Sequence, residues 1–299
     1  MNGPIDIVMP FLDPTIQSWQ NEYKKYANEN GYKTQNRFRD WGALKYWFRG
    51  VEQNCHWINN VFLIVFDDEQ IPKWLNTLNS KLKIIKHNDY IPEEFLPTFN
   101  TVTIEMFIHK IPGLSENFIY SNDDMYFLKN ISEDMFFKNN KPVSPLQSLK
   151  IGKRPLIEGI DYILNNNIEC IESIIGKPYN CDHPHFVIPM NKTFMEFIWY
   201  KCKKRLLDSF KYSHFRNNHN IGFWLFDDMQ RITKHAITNI NIFKNSLYFG
   251  NSNGNFNKCN NKDIICFNDL DSQKNFEKVK KEFLSFLDKK LPYKSSFEK

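Results

Sequence analysis

Residues 117–127 read NFIYSNDDMYF. An apolar run stops at Ser121-Asn122-Asp123-Asp124 and resumes at Met125. Neighbouring carboxylates repel, so a chain keeps such a pair where a cation lies between them or where water does. The fold follows from working outward from this stretch. Phe118–Tyr120 predicts a strand that ends at the acidic pair. Upstream, Ile5–Leu12 reads as a buried strand, and Ile16–Ala27 as a helix that Gly31 can stop. Asp40 is positioned to cap a helix across 41–54, with Leu44, Trp47, Phe48 and Val51 on one face. Val61–Phe66 and Leu82–Lys86 are further strand-like runs, and Thr98–Lys110 predicts a helix. Strands separated by helices imply a mostly parallel sheet with helices on both faces. Ligands of such open sheets bind beyond the carboxyl ends of the strands. Asp13 follows the first strand, Asp67-Asp68 the second, His87 the third and Asn122-Asp123-Asp124 the fourth, so polar groups should gather along one edge.

After residue 140 the pattern loosens. Pro142, Pro145 and Pro155 interrupt it. Phe186–Pro189 predicts a short strand, while Lys192–Leu207 and Asn220–Ala236 predict helices. Phe276, Val279, Phe283, Leu284 and Leu287 give an amphipathic helix near the C-terminus. The Asn/Lys-heavy segments 139–141, 165–167 and 251–262 read as surface loops. With no repeat and no linker, the expectation is one domain, an α/β half (1–137) completed by a helical half (138–299).

Composition narrows the function classes. The 299 residues are 41% hydrophobic and include 27 Phe, enough for a large core; 24% charge is ordinary and argues against disorder. A net charge of +5 suits a phosphate-bearing ligand or an anionic membrane surface, and lacks the concentration expected of a nucleic-acid binder. The start, MNGPIDIVMPFLDP, has no basic leader, and no run reaches the length needed to span a bilayer. A cytoplasmic location is expected, at the inner face of the membrane, with peripheral attachment through basic or aromatic C-terminal surfaces. The six cysteines form no CxxC pair and read as free thiols, which argues against zinc.

Several constellations carry chemistry, each with a plainer reading beside it. Asn122-Asp123-Asp124 offers hard oxygen ligands for Mg²⁺ or Mn²⁺, or is a solvated turn. ICFNDLDS (265–272) repeats the theme with Asn268 and Asp269, or caps the following helix. Arg37, Arg39, Lys45 and Arg49 suit a diphosphate, or form a solvated charged face. His183 and His185 precede a short apolar run and could supply a base or a metal ligand. Glu105 and His109 are spaced i,i+4, so Glu105 could orient His109. Asp227-Asp228 reads as a solvated helix face. No GxSxG, P-loop or GxGxxG occurs, which leaves Ser-hydrolase, Walker NTPase and simple dinucleotide-binding readings without support.

Four blocks then resemble the Stealth proteins, bacterial capsular polysaccharide phosphotransferases whose family includes the animal N-acetylglucosamine-1-phosphotransferase catalytic subunits. They are IDIVMPFLD (5–13); RFRDWGALKYWFRGVEQNCHWINNVFLIV with IPKWL and LPTFNTVTIEMFIHKIPGLSENFIYSNDDMYF; HPHFVIPMNK with HFRNNHNIGFWLF; and ICFNDLDS through LPYKSSFEK. The resemblance implies a Rossmann-like or GT-A-like α/β fold: a mostly parallel central sheet flanked by helices, with a helical second half. It implies a sugar-1-phosphate transferase that uses Mg²⁺ or Mn²⁺. A nucleotide-sugar, usually a UDP-sugar, would be the donor and a hydroxyl of a capsule or cell-wall glycan the acceptor, with nucleoside monophosphate released. By position, Asp123, Asp124, Asn268 and Asp269 match the metal motifs. His185 matches the candidate base, and Arg216 a phosphate-holding residue. Arg37, Asp40 and Arg49 match donor-binding or site-ordering positions, and Asp13 the carboxylate near the nucleotide. Asn122 and His109 join them as substrate-binding candidates. Two positions depart: the first block lacks its second acidic residue, and Asp182 stands where a histidine is common. The rival readings are a conventional glycosyltransferase releasing nucleoside diphosphate and a non-catalytic glycan- or nucleotide-binding protein on the same fold.

Overall fold

The computed structural model describes residues 2–33, 38–145, 152–157, 159–180, 185–239, 246–250, 256–268 and 275–299, with only the backbone at 246–250 and 268. Its centre is a five-stranded sheet of β1 (Ile5–Pro10), β2 (Ile58–Val65), β3 (Leu82–Lys86), β4 (Asn117–Tyr120) and β8 (Ile188–Asn191), in the order β3-β2-β1-β4-β8. The first four strands run parallel, and β8 closes the edge antiparallel to β4. The architecture is the expected one, mixed α/β around a mostly parallel sheet.

The strands read as continuous apolar runs because both faces are covered. Alternate residues feed two cores. Ile7, Met9, Leu63, Val65 and Ile119 pack on one side, with α2 (Leu44–Asn54) and α7 (Phe276–Lys290). Val8, Phe62, Ile64, Phe118 and Tyr120 pack on the other, with α3 (Thr101–Met106), α5 (Lys192–Phe210) and α6 (Trp224–Ile232). A charged strand residue stands apart from the apolar ones. Asp6 is fully buried in β1, where its carboxylate accepts bonds from Asn59 Nδ2 and from the Asn60 and Ser115 amides, tying three segments at the amino edge of the sheet.

Beyond β4 the chain turns at Asp123-Asp124 into β5 (Met125–Phe127), which pairs antiparallel with β11 (Ile264–Asn268); β10 (Ser246–Gly250) flanks β11. A third small sheet joins β6 (Phe137–Lys138), β7 (Lys141–Pro145) and β9 (Ile237–Asn239). The second half carries the long helices α4 (Gly159–Ile175), α5 and α7, and also supplies β8 to the central sheet. Among the described residues no helix is long and apolar enough to cross a membrane.

Several expectations need correction. The first helix is shorter than Ile16–Ala27; α1 is Gln17–Lys25. The helix expected from residue 41 starts at Leu44: Asp40 caps the Gly42 amide at 2.8 Å, and Gly42 holds φ +68, outside the helical region. Thr98–Lys110 breaks at Phe107 into α3 and a 3₁₀ turn over Ile108–Lys110. Asn220–Ala236 is helical only over α6. Residues 139–141 are no free loop: Asn139 and Asn140, both at positive φ, make the two-residue turn between β6 and β7. Residues 165–167 lie inside α4. Asp227-Asp228 is buried, and both carboxylates pair with Arg231 one turn on. Five cysteines are buried free thiols; Cys181 lies outside the described residues.

Candidate active site

A cleft of about 470 Å³ opens at the carboxyl edge of the central sheet. The turn after β4 forms its floor. Ser121 donates its amide to Val8 O in β1, and Trp47 on α2 donates its indole N–H to Ser121 Oγ at 3.1 Å. The turn is thereby fixed from below, and Asp123 and Asp124 face the cleft. From the second half, β11 lies against the same turn, with the Phe267 amide donating to Asp124 O at 2.8 Å. The second Asn-Asp motif begins at the next residue, so the topology brings the backbone of Asn268 close to the acidic turn. Of Asn268 only the backbone is described, and Asp269 lies outside the described residues.

Asp124 is the hub. Its Oδ2 lies 3.0 Å from His185 Nε2 and 3.3 Å from the Cys266 thiol, and one donor atom from each of the three side chains falls within 4.8 Å of the others. Its Oδ1 is buried without a hydrogen-bond partner among the described residues. Burial, with the nearby charges of Asp124 and Asp40, pushes Asp123 up to about 7. Burial works against a charged His185, but the Asp124 and Glu105 carboxylates outweigh it and raise its pKa. Burial first, then Asp124, pushes the Cys266 thiol well up, so the sulfur stays protonated and donates to Asp124. Two carboxylates, one with an orphaned buried oxygen, fit a hard divalent cation. Asp123 and Asp124 are the residues described here that would hold it.

The walls come from separate elements. Thr101, Val102 and Glu105 line the cleft from α3. Tyr120 Oη lies 2.7 Å from Glu105 Oε1 and 2.6 Å from Asn122 Oδ1, which places Asn122 in the cleft lining. Burial raises the pKa of Glu105, opposed by the Tyr120 hydroxyl and Arg216. Arg216 reaches the cleft from the segment after α5, and its guanidinium has no hydrogen-bond partner among the described residues. Gly31, at φ +151, lets the preceding loop close on that segment: a Cβ there would meet Phe215 Cβ at 2.5 Å, and the Tyr32 amide donates to Arg216 O. Asp40 forms part of the wall; burial raises its pKa, opposed by the Gly42 amide and Lys280.

Three sequence candidates lie away from this cleft. Arg49 is buried and binds Glu298 through Nε and Nη2 at 2.8 and 2.9 Å, with Nη1 on Leu291 O. It clamps the C-terminus to α2 and lies outside the cleft lining. His109 is buried beside Trp199 in the 3₁₀ turn that follows α3, and burial with Lys110 and Lys192 lowers its pKa to about 4. Glu105 turns to Tyr120, away from His109, because the helix ends between them. Asp13 lines a neighbouring cavity of about 360 Å³ that shares Asp40 with the main cleft, and its Oδ1 accepts from Thr15. Arg37 and His183 lie outside the described residues. Sequence reasoning missed Cys266 and Tyr120, and gave Glu105 the wrong partner. The spacing of Thr101 and Val102 with Glu105 on one helix face was the available signal.

The sequence of conserved region 2 of the Stealth proteins matches residues 37–144. The receptor polysaccharide phosphotransferase WefC of Streptococcus oralis is 32% identical, over 98% of this chain and 99% of its own. The chain belongs to the Stealth family. An exopolysaccharide phosphotransferase of Lactiplantibacillus plantarum is 30% identical, over 100% of this chain and 98% of its own. This Stealth protein is accordingly an enzyme of the phosphotransferase type. Among solved structures, the galactosyltransferase LgtC bound to donor and acceptor sugar analogues covers 94% of this chain and 95% of its own, at TM-score 0.44 and 10% identity.

Proposed function

We propose that this Stealth protein transfers sugar-1-phosphate from a nucleotide-sugar, a UDP-sugar, to a hydroxyl of an acceptor glycan, releasing nucleoside monophosphate during synthesis of a capsular or cell-surface polymer. One observation carries the reading: a single cleft is lined by the Asp123-Asp124 pair, with its orphaned oxygen, by His185 and by Arg216. Relatives named polysaccharide phosphotransferases support phosphoryl over glycosyl transfer.

Asp123 and Asp124, joined by Asn268 and Asp269, would hold Mg²⁺ or Mn²⁺. When bound, such an ion neutralises the diphosphate and stabilises charge developing on the transferring phosphorus. Arg216 would hold the phosphate oxygens, as a planar donor fork suits them. His185, oriented by Asp124 through Nε2, would take the proton of the attacking hydroxyl. The acceptor oxygen forms the new bond to the sugar-bearing phosphorus. The bridging anhydride bond breaks, and its electrons leave with the nucleoside monophosphate. Asp40, between the two cavities, and Asp13 in the smaller one would contact the nucleoside part. Both halves act as one catalytic domain, with β8 and β11 completing sheets begun in the first.

Product analysis with a panel of nucleotide-sugars, a divalent cation and a short glycan acceptor tests the proposal. Release of nucleoside monophosphate, with phosphodiester phosphorus in the product, is expected. Nucleoside diphosphate with no phosphorus in the glycan would leave a conventional glycosyltransferase.

A further inference from the structure

The helix α5 spans 19 residues, about 28 Å at 1.5 Å per residue. Its inner face is already satisfied: Met195, Ile198, Trp199, Cys202 and Leu206 are buried in the core beside the sheet. Its outer face nevertheless carries large rings. Phe197 is 52% exposed, Tyr200 71%, and Tyr212, just past the helix end, 58%. Helical spacing puts Phe197, Tyr200, Lys201, Lys204 and Lys211 on one side, with Lys203 and Arg205 flanking it. From Glu196 to Tyr212, five cations accompany two carboxylates, Glu196 and Asp208. Lys204 and Lys211 both bind Asp208, at 3.1 and 3.0 Å. Lys201 and Lys203, both exposed, place Nζ over the rings of Phe197 and Tyr200, at 5.4 and 5.5 Å.

Aromatic rings at the tip of a cationic helix face match the boundary of an anionic bilayer. Rings of this kind sit at headgroup level while lysines reach the lipid charges. A protein partner of ordinary composition would call for fewer lysines at the centre of the contact. We infer that the outer face of α5 docks this protein on an anionic lipid surface. The chain beyond α5 leads directly into the segment that carries Arg216 into the cleft, so lipid contact along this helix holds the edge of the cleft near the bilayer. The docking face lies mid-chain, and it stands whatever donor the cleft takes.

Co-sedimentation with vesicles tests the inference. The wild-type chain is expected to pellet with vesicles containing phosphatidylglycerol, to stay in solution with phosphatidylcholine alone, and to detach as salt rises. Lys201→Glu with Lys203→Glu should weaken binding by about 30-fold or more, given about a fivefold loss per lysine. Phe197→Ser with Tyr200→Ser should weaken it without changing its salt slope. Circular dichroism and turnover of a soluble acceptor, both unchanged, show that these surface variants fold. The inference is overturned if the wild type ignores anionic vesicles, if the variants bind as it does, or if Phe197→Ser abolishes a concentration-dependent dimer and not vesicle binding.

Discussion

At the residue scale, charge placement decides what each carboxylate can do. Asp124 joins His185, Cys266 and an orphaned oxygen at one point, so Asp124→Asn should lower kcat by about 10³-fold or more while leaving the fold intact. Nucleoside monophosphate release, read beside circular dichroism, checks this; near-normal turnover would remove Asp124 from the site. Glu298 does different work. Burial pushes its pKa up, but the Arg49 guanidinium and the Ser295 amide outweigh that and hold it below the ordinary carboxylate value. A depressed folded value adds stability that is full above the unfolded pKa, near 4.3, and is lost as pH falls through the folded one. Glu298→Gln should therefore be less stable than wild type at neutral pH and lose less between pH 5 and about pH 3. Urea midpoints across that range would show it, and parallel curves would contradict it.

At the element scale, close packing fixes the acidic turn. Gly50 in α2 faces the Phe127 carbonyl of β5, and a Cβ would lie 2.6 Å from that oxygen. Alanine favours a helix by about 1 kcal/mol over glycine, but the clash is with backbone and wins. Gly50→Ala should destabilise by about 1–3 kcal/mol and lower activity, because β5 begins at Met125, next to Asp124. In α6, the buried pairing of Asp227 and Asp228 with Arg231 also engages Ser144 and Pro145 of β7. Asp227→Ala should cost about 3 kcal/mol by leaving Arg231 with one carboxylate, measurable as a shifted denaturation midpoint. Helix α4 shows why some elements hide. Asn165-Asn166-Asn167 looks like a loop because asparagine favours turns. Here each amide is bound by a neighbouring backbone: Arg154 for Asn165, Asn218 and Asn220 for Asn166, Gly222 for Asn167. Partners up to 55 residues away decide that helix, and no local window contains them.

At the scale of the whole molecule, the C-terminus is a structural clasp. Phe297 is buried beside Phe48, the Asn76 amide donates to Phe297 O, the Lys299 amide donates to Trp74 O, and Glu298 completes the Arg49 pair. Deleting residues 293–299 should leave Arg49 buried without its carboxylate and cost about 3–5 kcal/mol. A melting temperature within a few degrees of the full chain would overturn this. The proposed cation site also draws on the whole molecule: added Mg²⁺ or Mn²⁺ should raise the melting temperature of the wild type, and Asp123→Asn with Asp124→Asn should abolish that shift.

Read alone, the sequence determined the elements whose signal is local. β1 to β4 are short apolar runs, and the polar turn after β4 lines the cleft, whereas Asp67, Asp68 and His87 after β2 and β3 do not. The Asn122-Asp123-Asp124 turn, with His185 and Arg216 matched through the family resemblance, was therefore legible before any contact was known. What only the tertiary structure decided concerns partners distant along the chain. Arg49 and Glu298 are 249 residues apart, and an arginine at helical spacing looks the same whether it meets phosphate or a carboxylate of its own chain. Cys266 and Asp124 meet only because β11 folds back on β5. Charge and spacing specify what a side chain can bind, and long-range packing selects what it does bind.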